Sequence, residues 1–175
     1  GATFKEVHAK HGQFAGRAVQ QVGLYFSSRT RDWVGRENPG EYFQSFLGAH
    51  KAMLYEHIPW GIVLDESATL ETLQRFPVVV LPNVGIVSEK ERALLLRYVE
   101  LGGNLIVTGF GGCYDHQGKL LESTSLEALI GARFKGKLDS MDNWVRFPGA
   151  QASPSNRQLA PERRMDWPFL VKGPA

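Results

Sequence analysis

The stretch VVVLPNVGIVSEKERALLLRYVELGGNLIVTG, residues 78–109, decides the fold. Its first four residues, Val78–Leu81, are all apolar, which is typical of a strand covered on both faces. Ser88 and Glu91 have the spacing of a capping box, which predicts that a helix begins there. The paired glycines at Gly102 supply the left-handed turn that ends such a helix, and another apolar run follows them. The stretch therefore predicts a strand–helix–strand unit with parallel strands.

The residues before this unit show the same alternation. Strands are predicted at 22–26 and 61–64, and the segment 38–40 begins a long helix between them that Pro59 ends. Ser67 is predicted to cap a short helix before the third strand. A helix near 125–130 and a strand near 134–138 are expected later in the chain. The long helix is predicted to bury one apolar stripe, composed of Phe43, Phe46, Leu47, His50, Leu54 and His57.

Strands that alternate with helices predict an α/β fold with a doubly wound, mostly parallel sheet and helices on both faces. A closed barrel needs about twice the available length. Residues 19–139 form the predicted domain, and residues 1–18 are expected to be an N-terminal connector with helical character. Proline is frequent after residue 139, so residues 140–175 are expected to be an extended arm that leads toward a missing domain.

Composition excludes several functional classes. The chain has 175 residues, of which 43% are apolar, as expected for one domain with a filled core. Its net charge of +2 is too small for a dedicated nucleic-acid surface, and no apolar run approaches the ~20 residues of a membrane-spanning helix. The single cysteine, Cys113, rules out an internal disulfide and a cysteine-based zinc cluster. We expect no metal, no cofactor and a cytoplasmic location.

Four segments resemble a known family: VVVLPNV at 78–84, SEKE at 88–91, LRYVELGGNLIVTG at 96–109 and YDHQG at 114–118. They are similar to the middle domain of family 42 β-galactosidases, which is called the β-galactosidase trimerisation domain. The fold of that domain resembles class I glutamine amidotransferases. The resemblance covers about residues 20–138, and the closing segment WPFLVKGP, 167–174, is similar to the exit of such domains toward a C-terminal β-domain.

The resemblance implies a non-catalytic structural domain of a carbohydrate-active hydrolase. Its expected partners are the other domains of the parent hydrolase and further copies of itself, with carbohydrate as an additional ligand. The implied role is oligomer assembly, together with shaping the substrate pocket of a partner. The alternative is a free-standing amidotransferase-like hydrolase or small-molecule binder that uses Cys113 and the loops at the strand ends.

The alternative depends on an activated cysteine. Amidotransferases hold their nucleophile on a sharp turn after a strand, where backbone amides bind the oxyanion and a histidine accepts the thiol proton. By resemblance, Phe110 lies at that turn and Cys113 falls a few residues late. The His-x-Glu pair of the amidotransferases is missing, because His116 is the last histidine in the chain. The sequence therefore favours a degenerate site.

Other candidate chemistry is weak. Asp65 and Glu66 are neighbours and are expected to form a solvated turn rather than the carboxylate pair of a glycosidase. Neither pair of histidines, His8 with His11 or His50 with His57, has further ligands at a suitable spacing, so surface and boundary positions are expected. The glycine-rich segment 109–112 lacks the other residues of a phosphate loop.

The loop after the first strand carries the most functional groups. Arg29, Arg31 and Arg36 are able to bind an anion or sugar hydroxyls, and Trp33 is able to stack on a sugar ring. Contact with a neighbouring domain or subunit is the favoured interpretation, since arginine and tryptophan are enriched at interface centres. A sugar contact and a solvated loop remain alternatives. Exposed aromatic side chains are expected for assembly at Trp33, Phe110, Trp144, Phe147, Trp167 and Phe169.

Overall fold

The computed structural model describes residues 2–14, 16 and 18–136. The chain divides into one unit at Gly1–Phe134 and a second at Lys135–Ala175, of which only residues 135–136 are described. The four strands are β1 (Val22–Phe26), β2 (Trp60–Leu64), β3 (Val78–Leu81) and β4 (Asn104–Val107). The five α-helices are α1 (Ala2–Ala9), α2 (Pro39–Tyr55), α3 (Leu70–Leu73), α4 (Glu89–Glu100) and α5 (Glu127–Ile130).

The strands form one parallel sheet in the order β2-β1-β3-β4. One row of residues crosses the whole sheet: Leu24 lies opposite Ile62 and Val80, and Val80 lies opposite Ile106. The predicted α/β fold with a parallel sheet is confirmed, and the first four predicted strands are found to within one residue at their ends.

Helices cover both faces of the sheet. On one face, Tyr25, Val79 and Leu81 pack with Leu73 of α3 and Leu95 of α4 in a fully buried cluster. On the other face, the buried strand side chains pack against Phe46 of α2; they are Val22, Leu24 and Val80. Alternate residues of one strand therefore belong to different cores, which explains why the strands are apolar on both sides.

The helix α4 begins and ends as predicted. The capping box between Ser88 and Glu91 is present, and Gly102 has a φ of +93°. Gly103 is required for a second reason, because a Cβ atom there would lie 2.2 Å from the ring of Tyr98. That ring is buried, and its hydroxyl donates to the carbonyl of Phe76 at 2.9 Å. The paired glycines thus allow the chain to pass over a core tyrosine.

The predicted stripe of α2 is only partly correct. Tyr42 and Phe46 are the buried residues of the helix, whereas Phe43, Leu47 and Leu54 are 39%, 46% and 54% exposed. The helix faces the sheet with the neighbouring stripe, in which Phe46, Ala49 and Met53 pack on the strands. On the same side the Tyr42 hydroxyl accepts a hydrogen bond from the backbone N–H of Ser27 at 2.6 Å.

Smaller differences concern element ends. Helix α2 ends at Tyr55, before the predicted stop at Pro59. Thr69, rather than Ser67, caps α3, because Ser67 belongs to a 3-10 turn that starts at Asp65. The strand expected near 134–138 is not found in its described part, 134–136, and the rest lies outside the described residues. Among the helices that the structure describes, none is both long enough and apolar enough to cross a membrane.

Candidate functional site at the carboxyl edge of the sheet

Parallel strands bring their carboxyl ends to one edge of the sheet, where doubly wound folds place ligand sites. In this chain Ser27, Asp65, Asn83 and Thr108 follow β1, β2, β3 and β4 in that order. We call this side of the molecule the carboxyl edge. Apart from the histidines, the candidate residues from the sequence analysis lie on this edge or on the loops that leave it. This statement covers the candidates within the described residues.

The loop after β1 is helical over residues 28–34 and is tied down at its first turn. The buried hydroxyl of Ser27 accepts hydrogen bonds from the N–H and the hydroxyl of Thr30, at 3.1 and 3.0 Å. The Thr30 hydroxyl in turn accepts from the N–H of Ile86 at 3.1 Å. The first turn of the loop is therefore fixed both to the end of β1 and to the segment after β3.

The buried carboxylate of Glu91 is the centre of the edge. It accepts hydrogen bonds from the Tyr25 hydroxyl at 2.8 Å, from Arg29 Nη1 at 2.7 Å and from the Ser88 N–H at 2.9 Å. The Ser88 hydroxyl is a further donor to the same group. Burial, and then the negative charge of Glu91, raise the pKa of Tyr25 far above its usual value. Glu91 is thus a fully bonded anchor that joins β1, α4 and the loop after β1.

The four candidate residues of that loop do not converge on one point. Arg29 is bonded to Glu91, whereas Arg31 makes two hydrogen bonds to Asp32 at 2.6 and 3.0 Å. The Arg31 guanidinium lies 5.9 Å from the centre of the Phe26 ring. Arg36 is exposed, and Trp33 is 51% exposed, as predicted. Arg29 and Arg31 are therefore held by contacts with other side chains. Among the interactions of the described residues, no such contact is seen for the side chains of Trp33 and Arg36, which face solvent.

The turn after β4 is closed by a neighbouring side chain. Asn83 has a left-handed backbone with a φ of 52°, and its Oδ1 accepts from the N–H of Phe110 at 2.9 Å. Gly109, with a φ of +61°, is required here, because a Cβ atom would lie 2.5 Å from that oxygen. In an amidotransferase-like turn, backbone amides bind the oxyanion. Here the Phe110 amide already has an acceptor within the protein.

Phe110 is less exposed than predicted, and Cys113 is almost completely buried. The Phe110 ring is partly buried between Tyr114 and Phe134, with ring centres 5.9 and 5.4 Å away. Cys113 is 2% exposed, and its Sγ lies 3.6 Å from the Gly111 carbonyl oxygen. Burial raises the pKa of the Cys113 thiol, whereas an activated nucleophile has a lowered one. The aromatic candidates Trp144, Phe147, Trp167 and Phe169 lie outside the described residues.

The carboxylate pair after β2 also has a structural role. The two oxygens of the buried Asp65 accept from the N–H groups of Arg29 and Glu66, at 3.3 and 2.9 Å. The Glu66 side chain is exposed. No group of acidic, histidine and cysteine side chains within the described residues is arranged to hold a metal ion.

Sequence reasoning found the capping box but missed the other partners of Glu91. Tyr25 and Arg29 are 66 and 62 residues away from it in the chain. No local spacing indicates such pairs. Only the predicted topology could have indicated these contacts, because it brings the ends of β1 and β3 and the start of α4 close together.

Comparison with known proteins identifies the family of the chain. The model of a family described as the beta-galactosidase trimerisation domain matches residues 20–147. No curated protein sequence matches the chain.

Two solved structures show the same fold. A β-galactosidase from Bifidobacterium adolescentis aligns with a TM-score of 0.57 and 21% identity, over 68% of this chain and 56% of that one. A catalytic mutant of a family 42 β-galactosidase from G. stearothermophilus aligns with a TM-score of 0.52 and 19% identity, over 66% of this chain and 17% of that one. The chain thus spans about half the length of the first structure and about a sixth of the second. With the family model matching most of its residues, the chain belongs to the β-galactosidase trimerisation domain family.

Proposed function

We propose that this chain is a non-catalytic structural domain of a larger β-galactosidase-like glycoside hydrolase. In that protein it supports oligomer assembly and shapes the substrate pocket of a partner. The observation that carries the proposal is the state of the carboxyl edge, where the groups that chemistry would need are already engaged inside the domain.

The carboxylates illustrate this point. A retaining or inverting glycosidase needs two carboxyl groups about 5 or about 6.5–9.5 Å apart on either side of a sugar, free to exchange protons. Glu91 is buried with four donors, and Asp65 is buried against two backbone amides. Glu66 is exposed, but neither Glu91 nor Asp65 is available to act with it as a second catalytic carboxylate. This pattern supports a structural role.

The pocket-shaping part of the proposal depends on the loop after β1. Its base is fixed by Ser27, Thr30 and the Arg29–Glu91 pair, while Trp33 at its far side is half exposed. A rigid base with an exposed aromatic side chain suits contact with a sugar or with a neighbouring subunit, because little conformational entropy is lost on binding. We infer that Trp33, with Arg36, is the contact that this domain offers to a pocket outside it.

The amidotransferase-like alternative has no specific observation in its favour. It requires an accessible thiolate and free backbone amides at the turn after β4. Cys113 is instead buried with a raised pKa, and the Phe110 amide is bonded to Asn83. Titration of the thiol with a disulfide reagent is expected to show slow reaction and no ionisation below the usual thiol range. Rapid reaction at neutral pH would favour the alternative.

An activity assay tests the non-catalytic role. The 175-residue chain is expected to hydrolyse an aryl β-galactoside no faster than its Asp65→Asn, Glu66→Gln double variant. Hydrolysis well above that of the variant would contradict the proposal. In the parent hydrolase, Trp33→Ala is expected to raise KM several-fold with little change in kcat or in assembly. The matched control is Phe4→Ala, since Phe4 is an aromatic residue on α1 that is 82% exposed.

Several expectations stay predictions. They are the binding of carbohydrate by this domain, a cytoplasmic location of the parent protein, and the division into a connector, a domain and an arm at residues 18 and 139.

A further inference from the structure

We propose that the apolar surface shared by α2 and β2 is where a second copy of this chain docks, and that the groove beyond β4 receives it. This inference rests on the assembly role proposed above and assigns that role to particular residues. We call the first the α2–β2 surface. Its members are half-exposed apolar side chains: Phe43, Leu47, Leu54, Ile62 and Leu64.

Ring contacts and the strand register place these side chains on one side of the molecule. The residues Trp60, Ile62 and Leu64 alternate along β2 and lie on the α2 side of the sheet, since Ile62 is opposite Leu24 of the α2 core. At one end of the surface the ring of His50 on α2 packs edge-on against Trp60, with centres 4.7 Å apart.

Ring contacts also close the other end. Phe43 packs on Phe26 with ring centres 5.9 Å apart, and Phe26 is the partner of Leu64 in the sheet register. The exposed stripe of α2 therefore runs beside the outer half of β2 from end to end.

The area of this surface fits a subunit contact. Five residues of this size that are each about half exposed present on the order of 500 Å² of mostly apolar surface. A standard interface buries about 800 Å² per partner, of which about 60% is apolar. The apolar area of the α2–β2 surface is therefore about equal to the apolar area that one partner buries in a standard interface. None of its five members is charged.

A ring of identical copies needs a second, different surface, because a head-to-tail contact joins two unlike patches. The other edge of the sheet provides one. A groove of about 460 Å³ lies beyond β4, and its lining combines polar groups, Asn104 among them, with apolar side chains; the latter include Val99, Leu105, Val107, Leu129 and Ile130. Within the described residues no strand pairs with the outer edge of β4. The two surfaces lie at opposite edges of one sheet, so one copy has room to contact a neighbour at each of them.

Sedimentation of the 175-residue chain over a range of concentrations tests the α2–β2 surface. The chain is expected to self-associate, and Leu47→Glu is expected to weaken the association at least about 30-fold, as for a central interface residue. Leu120→Glu is the matched control, since Leu120 is 49% exposed but lies elsewhere. It is expected to leave association unchanged, and thermal unfolding must show both variants folded. Equal association of the two variants would overturn the assignment while leaving the assembly role intact.

A mixing experiment tests the pairing of the two surfaces. Ile130→Glu in the groove is expected to weaken association as Leu47→Glu does. Each variant keeps one intact surface, so an equimolar mixture is expected to form a 1:1 heterodimer that neither variant forms alone. A mixture that stays monomeric would overturn the head-to-tail pairing. A parent chain that stays monomeric at millimolar concentration would overturn both this inference and the proposed assembly role.

Discussion

On the face of the sheet that carries α3 and α4, the strand residues Val63 and Val79 are almost completely buried. On the face that carries α2, Ile62 and Ile106 are each 50% exposed. The row Ile62–Leu24–Val80–Ile106 shows the contrast within one face, since its two central members lie under α2 and its two outer members do not. The chain's own helices close the α3–α4 face except at a groove beyond β4, whereas they close the α2 face only along its middle.

This difference suggests separate roles for the two faces: the α3–α4 face stabilises the fold, and the α2 face is the proposed site of assembly. The closed face, together with the Glu91 network at its carboxyl edge, contains the contacts whose loss unfolds the domain. The half-exposed face contributes less to folding, because its outer side chains keep much of their contact with water. Variants that treat the two regions differently therefore test the comparison.

Replacing Glu91 is expected to have the largest effect on stability. Glu91→Ala leaves the buried hydroxyl of Tyr25 without its acceptor, removes the partner of Arg29 and breaks the capping box of α4. The free energy of unfolding is expected to fall by about 3–5 kcal/mol, measured by urea denaturation. Glu89→Ala on the same helix is the control, because the Glu89 side chain is 92% exposed and its ion pair should contribute less than about 0.5 kcal/mol. Similar losses for both variants would refute the central role of Glu91.

A pair of leucine truncations compares the two faces directly. Leu73→Ala removes a fully buried side chain from the α3–α4 face and is expected to cost about 3 kcal/mol. Leu47→Ala removes a side chain that is 46% exposed and is expected to cost less than about 1 kcal/mol under conditions where the chain is monomeric. Equal costs would mean that the α2 face is as important for folding as the other.

The sequence predicted the elements of the sheet because their signals are local. Ser88 with Glu91 defines the start of α4, the glycine pair at 102–103 defines its end, and short apolar runs define the strands. The resemblance of these same segments to a family also predicted the domain type. Two residues of these segments, Asn83 and Gly109, join the ends of β3 and β4.

The orientation of α2 and the partners of Glu91 were not predictable in this way. Apolar residues of α2 occupy two neighbouring stripes, and periodicity does not decide which of them faces the sheet. The choice follows from tertiary contacts, namely the packing of Phe46 on the strands and the hydrogen bond between Tyr42 and Ser27, which joins a helix to the end of a strand. The contact between Arg29 and Glu91 likewise depends on topology. Long-range polar contacts of this kind carry no signal in spacing.

The burial of Tyr42 predicts a loss of stability in alkaline solution. Burial is the main reason that the pKa of Tyr42 rises from 10.0 to about 12. Since the raised pKa favours the neutral phenol in the folded state, its contribution is complete below pH 10 and is lost as the pH rises toward 12. This loss amounts to about 2–3 kcal/mol. Urea denaturation between pH 9 and 11.5 should therefore show a shallower decline for Tyr42→Phe than for the original chain, while Tyr25 acts equally in both. Parallel declines would contradict the assignment.

The smallest effect is expected at Asn83, where backbone conformation and hydrogen bonding can be separated. Asn83→Gly keeps a residue that accepts the left-handed φ of 52° but removes the acceptor of the Phe110 amide, at a cost of about 1 kcal/mol. Asn83→Ala removes the same acceptor and also forces a Cβ into that conformation, which adds about 1 kcal/mol. Both variants should speed hydrogen exchange at the Phe110 amide to a similar extent, whereas urea denaturation should distinguish them. If exchange at Phe110 is unchanged in both, the turn after β4 is not closed by Asn83. The contrast between an occupied carboxyl edge and an open α2 face would then lose one of its supports.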